Sequence, residues 1–331
     1  MKNNILILTV ICAVFLACNS NENKKIETKE KDSEKILVPN FNEDSAYYFV
    51  KRQVDFGPRV PNSKEHLLCG NYLVNILNKY ADTVIEQKAI LKNFQGKSLN
   101  MRNIIASFQP EKQSRILLCA HWDSRAYSDQ DSDKNNLYKP ILGANDGASG
   151  VGVLIEIARL LKNNKTNIGI DIILFDAEDD GPPHNTNFEN IEGEWWCLGS
   201  QYWAKNPHKP FYSARFGVLL DMVGAKNATF AKEGVSMHFA PDVVNKVWNI
   251  AKQIGYSNYF IDKNSPSITD DHLYINEITN IPTIDIIQYD PSSSSGFYIN
   301  WHTQKDNMDG IDKNTLKAVG QTVLQLIYEE K

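Results

Sequence analysis

Short apolar segments that alternate with amphipathic stretches most restrict how this 331-residue chain can fold. Four segments have the length and composition of buried strands, at residues 115–120, 168–175, 216–221 and 283–288. Helical periodicity occupies the intervening and following stretches, at residues 146–161, 198–205, 241–254 and 313–329. This alternation predicts an α/β fold: a three-layer sandwich with a mixed, mostly parallel central sheet flanked by helices.

The part of the chain before this alternation is also patterned. We predict helices at residues 44–56 and 63–80, followed by strands at residues 83–91 and 101–108. No break in composition and no internal repeat divides residues 38–331, so we expect them to form a single domain.

The N-terminus has the features of an export signal. Lys2 precedes an apolar run, residues 5–17, that is shorter than the ~20 residues of a membrane-spanning helix. The run ends in Ala17-Cys18, which resembles a bacterial lipoprotein signal, although a plain secretory signal is the alternative. The polar residues 19–37 then predict a flexible tether. We expect an exported, envelope-located protein that meets the membrane only through a lipid anchor.

Composition excludes several classes of function. A net charge of -5 provides no basic surface for nucleic acid. Three cysteines follow the tether, Cys69, Cys119 and Cys197, and an odd number argues against a disulfide framework. We expect them to be buried small side chains, and we expect the protein to be a monomer.

Polar residues follow the predicted strands directly. His121 and Asp123 come after one strand, residues 176–179 after the next, and Asp221 ends a third. Ligands of open α/β sheets bind beyond the carboxyl ends of the strands, so these side chains are expected to meet at one site.

Two carboxylates and an imidazole in the second half of the chain form a candidate zinc set. Asp146, Asp179 and His302 would supply three ligands and leave a fourth position open for substrate. Glu178, beside one ligand, is the candidate general acid and base.

Each of these assignments has a plainer alternative. Asp146 could only cap the helix that follows it, and residues 178–180 could form a solvated acidic turn. Like charges packed at the end of a buried strand are costly without a cation, which favours the metal. His121 competes with His302 as the imidazole ligand, whereas the other histidines considered have no expected role: His184, His208 and His238.

Further residues are expected to complete the site. Asp221, at a strand end, needs a partner, and a proton shared with Asp270 would satisfy both carboxyl groups, although Asp270 could simply cap a helix. An aromatic-rich part of the sequence is expected to supply the pocket wall through Trp196, Phe297 and Trp301.

At this level of detail the chain resembles a known family, the animal-type glutaminyl cyclases, which are zinc enzymes with the fold of two-zinc aminopeptidases. The resemblance runs from about Asn42 to the C-terminus. It is carried by Gly143-Ala144-Asn145-Asp146, Glu178-Asp179, Leu198-Gly199-Ser200, Leu220-Asp221-Met222-Val223-Gly224-Ala225 with Asn227-Ala228-Thr229-Phe230, Asp270-Asp271-His272, and Trp301-His302-Thr303 with Asp306-Asn307.

The resemblance implies one zinc ion held by Asp146, Asp179 and His302, with proton transfer by Glu178. It also implies a hydrogen-bonded acid pair, Asp221 and Asp270, and a pocket lined by Trp301. The implied reaction converts the N-terminal glutamine of a peptide or protein to pyroglutamate and releases ammonia.

Three positions depart from the animal enzymes. Asp179 replaces a glutamate, Asp285 stands in place of a histidine, and the position of the partner cysteine of Cys119 is occupied by Val151. The animal disulfide is therefore not expected.

Two alternative functions remain open. A two-zinc aminopeptidase could use His121 and Asp221 for a second metal that Asp146 bridges. The long stretch 180–197 and the Asp270-Asp271-His272 segment favour the cyclase. An inactive binding lipoprotein would be expected to lack Glu178 or a ligand, and all four residues are present.

Overall fold

In a computed structural model, which describes residues 37–184, 187 and 192–331, a six-stranded sheet lies between two layers of helices. The strands, in chain order, are β1 (Thr83–Lys92), β2 (Ser98–Phe108), β3 (Arg115–His121), β4 (Gly169–Phe175), β5 (Gly217–Asp221), β6 (Phe230–Lys232), β7 (Phe260–Asn264) and β8 (Thr283–Ile287). The main sheet has the order β1-β2-β4-β3-β5-β8, and β6 and β7 pair separately.

The direction of the strands makes the sheet mixed. β3 is parallel to β4 and β5, and β5 is parallel to β8. β2 is antiparallel to both of its neighbours, β1 and β4. The carboxyl ends of β3, β4, β5 and β8 therefore meet at one edge of the sheet, where the acidic segments follow.

In the described part of the chain, eight α-helices surround the sheet. They are α1 (Glu43–Val54), α2 (Lys64–Asn78), α3 (Ala148–Leu161), α4 (Leu198–Lys205), α5 (Gly234–Phe239), α6 (Pro241–Gln253), α7 (Asp271–Thr279) and α8 (Lys313–Glu329). Side-chain caps define several starts: Asn42, Ser63 and Asp312 each accept a hydrogen bond from a backbone N–H in the first turn.

Alternate residues of each central strand pack into different helix layers. In β3, Ile116, Leu118 and Ala120 belong to the large core formed with α1, α2, α3, α6 and α8. Leu117 and Cys119 point into the smaller core under α4 and α7, where Trp203 is fully buried. Each fully buried leucine stabilises the folded state by about 1.5–3 kcal/mol relative to an exposed leucine. This two-sided burial confirms the predicted three-layer α/β sandwich.

Most predicted elements are present, with ends shifted by a few residues. Three short elements were not predicted: β6, β7 and α5. Residues 38–331 lie within one compact unit, Ile36–Lys331. The three cysteines of the described region are buried and unpaired with one another.

The predicted export signal, residues 1–18, and the tether up to residue 36 lie outside the described residues. Within the described ranges, no helix has both the length and the apolar character needed to cross a membrane.

Candidate active site

The structure brings together the three predicted zinc ligands at the carboxyl edge of the sheet. Asp146, Asp179 and His302 are buried, and one ligand atom from each lies within 4.8 Å of the others. His302 Nε2 is 3.2 Å from Asp179 Oδ1 and 3.5 Å from Asp146 Oδ2. Two carboxylates and an imidazole at this spacing are a donor set that zinc accepts.

Unsatisfied polar atoms and charge support the fit of a cation. Asp179 Oδ2 is buried and has no hydrogen-bond partner among the described residues. Burial lowers the pKa of His302, but the surrounding carboxylates, Asp179 foremost, raise it overall to about 10. The carboxylates around His302 thus favour a positive charge at this position. A zinc ion would supply that charge and would give Asp179 Oδ2 a partner.

Asp146 is held by its backbone. The carboxylate of Asp306 accepts hydrogen bonds from the N–H groups of Asn145 and Asp146, at 2.8 and 3.1 Å. Gly147 then has a φ of 39°, and a Cβ there would lie 2.6 Å from the backbone oxygen of His121. Helix α3 begins only at Ala148, so the predicted start at Asp146 was wrong, because this tight left-handed turn separates the carboxylate from the helix. Asp146 makes no side-chain cap.

Glu178 and Asp179 are positioned by a second carboxylate. Asp123 accepts hydrogen bonds from both of their N–H groups, each at 3.1 Å. Ala177, with a φ of 54°, turns the chain sharply after β4. The turn directs both acidic side chains into one cavity.

Glu178 has the surroundings of a proton carrier. Its side chain is 13% exposed and lines the cavity. Burial raises the pKa of Glu178 well above the usual value. The thiol of Cys197 donates a hydrogen bond to Glu178 Oε1 at 3.2 Å and does not occupy Oε2. A carboxyl group with a raised pKa is suited to accepting a proton during a reaction.

His121, the predicted competitor, belongs to a second set that shares Asp146. Its Nε2 lies 3.0 Å from Asp146 Oδ1 and 3.2 Å from Asp221 Oδ1. All three residues are buried, and their ligand atoms also lie within 4.8 Å of one another. The geometry required by the two-metal alternative is therefore present.

The carboxyl groups of Asp221, Asp270 and Asp285 are all buried near this set. Burial raises the pKa of Asp221 to about 7, although the contact with His121 opposes this rise. Asp270 Oδ1 accepts the backbone N–H of Asp271 at 2.5 Å and so caps α7. The carboxyl group of Asp285 lies close to that of Asp270, and burial raises the pKa of both. Asp221 thus contacts His121, Asp270 caps a helix as its plainer alternative allowed, and the proton shared by Asp221 and Asp270 stays a prediction.

A cavity of about 500 Å³ opens onto these groups. Trp196, Phe297 and Trp301 line it, together with Glu178, Asp221 and Asp270 and with the three candidate ligands. Trp301 stacks on His302 with ring centroids 3.7 Å apart. The cavity thus combines an aromatic wall with an acidic floor.

One histidine was assigned no role but lies at the site. His184 lines the cavity, and its ring lies 6.1 Å from the rings of both Trp196 and Trp301. Its polar sequence context carried no sign of this, because the loop after β4 brings it back towards the sheet edge.

Four supporting residues were assigned no role from the sequence: Asp123 and Asp306, whose positions were noted, and Arg125 and Asp129, which were not. Asp123 had a usable signal, since it follows a strand end, and Asp306 lies four residues after His302. Arg125 and Asp129 had none, because their roles depend on contacts across loops.

Known proteins resemble this chain in sequence and in fold. The model of Peptidase family M28 matches residues 103–327. The chain is 54% identical to a Zn-dependent exopeptidase of Parabacteroides distasonis, with a TM-score of 0.87, covering 89% of this chain and all of that one. It is 57% identical to a glutaminyl cyclase of Bacteroides thetaiotaomicron, with a TM-score of 0.85 and the same coverage.

More distant relatives represent both candidate activities. The chain is 22% identical to the glutaminyl-peptide cyclotransferase of Bos taurus over 307 residues, covering 82% of this chain and 78% of the relative. It is 26% identical to an aminopeptidase of Bacillus subtilis over 283 residues, covering 82% of this chain but only 54% of that protein's length. These matches, added to the fold and to the buried ligand set, place the chain in peptidase family M28.

Proposed function

We propose that this chain is a glutaminyl-peptide cyclotransferase, which converts N-terminal glutamine to pyroglutamate with release of ammonia. The observation that carries the proposal is the arrangement of one cavity: the Asp146–Asp179–His302 set, the carboxyl of Glu178 and an aromatic wall all face it. The 57% identity to a glutaminyl cyclase supports this reaction among those that such a cavity could perform.

We assign a single zinc ion to Asp146, Asp179 and His302. Bound there, zinc supplies Lewis-acid polarisation of the carbonyl oxygen of the glutamine side chain. The other chemical tasks fall to residues of the protein itself.

Glu178 carries the proton in this scheme. The neutral α-amine forms the C–N bond of the ring, and Glu178 takes the proton that the amine loses. It then delivers that proton to the nitrogen of the side-chain amide as the C–N bond of that amide breaks and ammonia leaves. Burial raises the pKa of Glu178, which makes its carboxylate a stronger base for the proton of the amine.

The cavity walls orient the substrate. Trp196, Phe297 and Trp301 surround the glutamine side chain with apolar surface and exclude the water that would hydrolyse its amide. Asp221 and Asp270 place acceptors in the same cavity for the α-amine. The amine and the amide belong to one residue, so ring closure needs little further loss of entropy.

We propose that the substrates are peptides and proteins with N-terminal glutamine, and that the enzyme acts as an exported, lipid-anchored monomer. The export signal and Cys18 support the location. The acidic net charge offers no basic surface to a nucleic acid.

A two-zinc aminopeptidase is the second candidate, because His121, Asp146 and Asp221 form a buried ligand set beside the first. Counting zinc in the purified protein separates the two. The cyclase predicts one zinc per protein molecule and release of ammonia from a glutaminyl peptide. Two zinc ions per molecule and release of leucine from a leucyl peptide would refute it.

A substitution tests the role of Glu178. Glu178→Gln keeps the size of the side chain but removes the proton acceptor, so ammonia release is expected to fall at least about 100-fold. Zinc content and thermal stability should stay near those of the original protein. Glu277→Gln, an exposed change of the same kind on α7, is the control and should keep full activity. Activity retained in Glu178→Gln would exclude the proton-transfer role.

A further inference from the structure

A buried guanidinium lies behind the candidate metal site. The side chains of Arg125 and Asp129 are both 0% exposed. Arg125 Nε donates to Asp129 Oδ1 at 2.9 Å, and Arg125 Nη2 donates to Asp129 Oδ2 at 2.6 Å. This two-point contact fixes the plane of the carboxylate, because the guanidinium is itself a rigid fork.

The fixed carboxylate faces one candidate zinc ligand. Asp129 Oδ1 lies 3.2 Å from His302 Nδ1, on the side of the ring opposite to Nε2. His302 Nδ1 makes no hydrogen bond among the described residues, so Asp129 acts on it as a close ionic contact. A carboxylate beside one ring nitrogen favours the ring orientation that turns the other nitrogen towards a metal. Asp129 Oδ2 also accepts the N–H of His184 at 2.8 Å, so the same group anchors a residue of the cavity wall.

The guanidinium itself reaches the second ligand and the loop after it. Arg125 Nη1 donates to the backbone oxygen of Asp179 at 3.1 Å and lies 3.4 Å from its Oδ1. Further bonds go to the backbone oxygens of Gly181 and Pro182, at 3.3 and 3.2 Å.

One face of Arg125 is also covered by the cavity wall. Its central carbon lies 4.6 Å from the ring centre of Trp196, a cation–π contact in a buried setting. Trp196 in turn lies parallel to His302, with an interplanar angle of 7°.

We propose that Arg125 and Asp129 form one positioning unit that sets zinc affinity and the placement of the Trp196 wall together. Arg125 acts on Asp179 directly and on His302 through Asp129. The inference rests on the proposed zinc site but assigns a task to two residues that touch neither zinc nor substrate. A lysine could pair with Asp129 but could not reach all of these acceptors at once, because it presents a single point charge.

Zinc affinity, measured by competition with a coloured chelator, tests the proposal without relying on turnover. Arg125→Lys and the nearly isosteric Asp129→Asn should each weaken zinc binding about 10–100-fold, the usual effect of losing an outer-shell partner. Arg125→Lys should also raise KM, because Trp196 loses its support, while Asp129→Asn should mainly lower kcat.

A matched control exists at the opposite end of the sheet. Arg115 makes the same kind of buried two-point contact with Asp171, at 2.6 and 2.8 Å, far from the cavity. Arg115→Lys should lower thermal stability and leave zinc affinity unchanged.

The proposal would be overturned if zinc affinity stayed unchanged in both Arg125→Lys and Asp129→Asn. It would also be overturned if Arg115→Lys weakened zinc binding as strongly as they do. Should Arg125→Lys fail to fold, Asp129→Asn alone decides, since it keeps the size of the side chain. If the proposed function itself is wrong, the result differs: the original protein would bind no zinc or would release no ammonia.

Discussion

Single carboxylates that bind backbone N–H groups set much of the geometry of this site. Asp123 binds two consecutive N–H groups in the segment of Glu178 and Asp179, and Asp306 does the same in the segment of Asp146. A charged acceptor with two such donors is stronger than neutral pairs and cannot rotate freely. These residues hold candidate ligands in place without lining the cavity.

Another single residue, His208, predicts a dependence of stability on pH. Burial lowers the pKa of His208 to about 4. Its Nδ1 accepts a hydrogen bond from Trp203 Nε1 at 3.1 Å, which requires the neutral ring. The unfolded pKa is about 6.5, so this stabilisation is complete above about pH 6.5 and is lost as pH falls towards 4.

The change His208→Gln keeps an acceptor for Trp203 but cannot titrate. Urea unfolding at about pH 7 and about pH 4.5 should show a smaller loss of unfolding free energy for His208→Gln, by on the order of 2 kcal/mol. An equal loss in both proteins would show that His208 does not titrate in this range.

At the scale of elements, the close packing of α3 against β5 fixes the distance between two parts of the site. Gly150 of α3 faces β5 so closely that a Cβ there would overlap the backbone oxygen of Leu220, beside Asp221. Helix propensity alone would favour alanine by about 1 kcal/mol. A strand backbone in the centre of the sheet cannot move to make room, so the cost of overpacking exceeds the gain in helix propensity.

We therefore expect Gly150→Ala to destabilise the protein by about 1–3 kcal/mol, measured by urea unfolding. Asn249→Ala, at an exposed position of α6, tests propensity without a clash and should stabilise slightly. A stabilising Gly150→Ala would contradict the tight contact between α3 and β5.

The elements that the sequence predicted well are those with long, regular patterns. Strands β3 and β4 are continuous apolar runs, and α8 has strong helical periodicity, so local pattern and tertiary burial agree. β6 has only three residues, too few for any period to be visible. The start of α3 was misplaced because Gly147 adopts a left-handed conformation that no periodicity reveals.

At the scale of the whole molecule, topology explains how ligands from distant parts of the sequence meet. Asp146, Asp179 and His302 come from three separate segments, and parallel pairing brings the ends of β3, β4 and β5 to one edge. Strand-end positions could therefore be predicted from the sequence. The Arg125–Asp129 unit and the position of His184 could not, because they depend on loop paths that carry no periodic signal.

We propose that this cavity closes a ring and does not cleave a peptide bond. A single peptide that begins with glutamine followed by leucine tests it, because the two reactions give different products from the same molecule. We predict, by mass spectrometry, one product that has lost ammonia and kept every residue. Free glutamine together with a peptide shortened by one residue would contradict it.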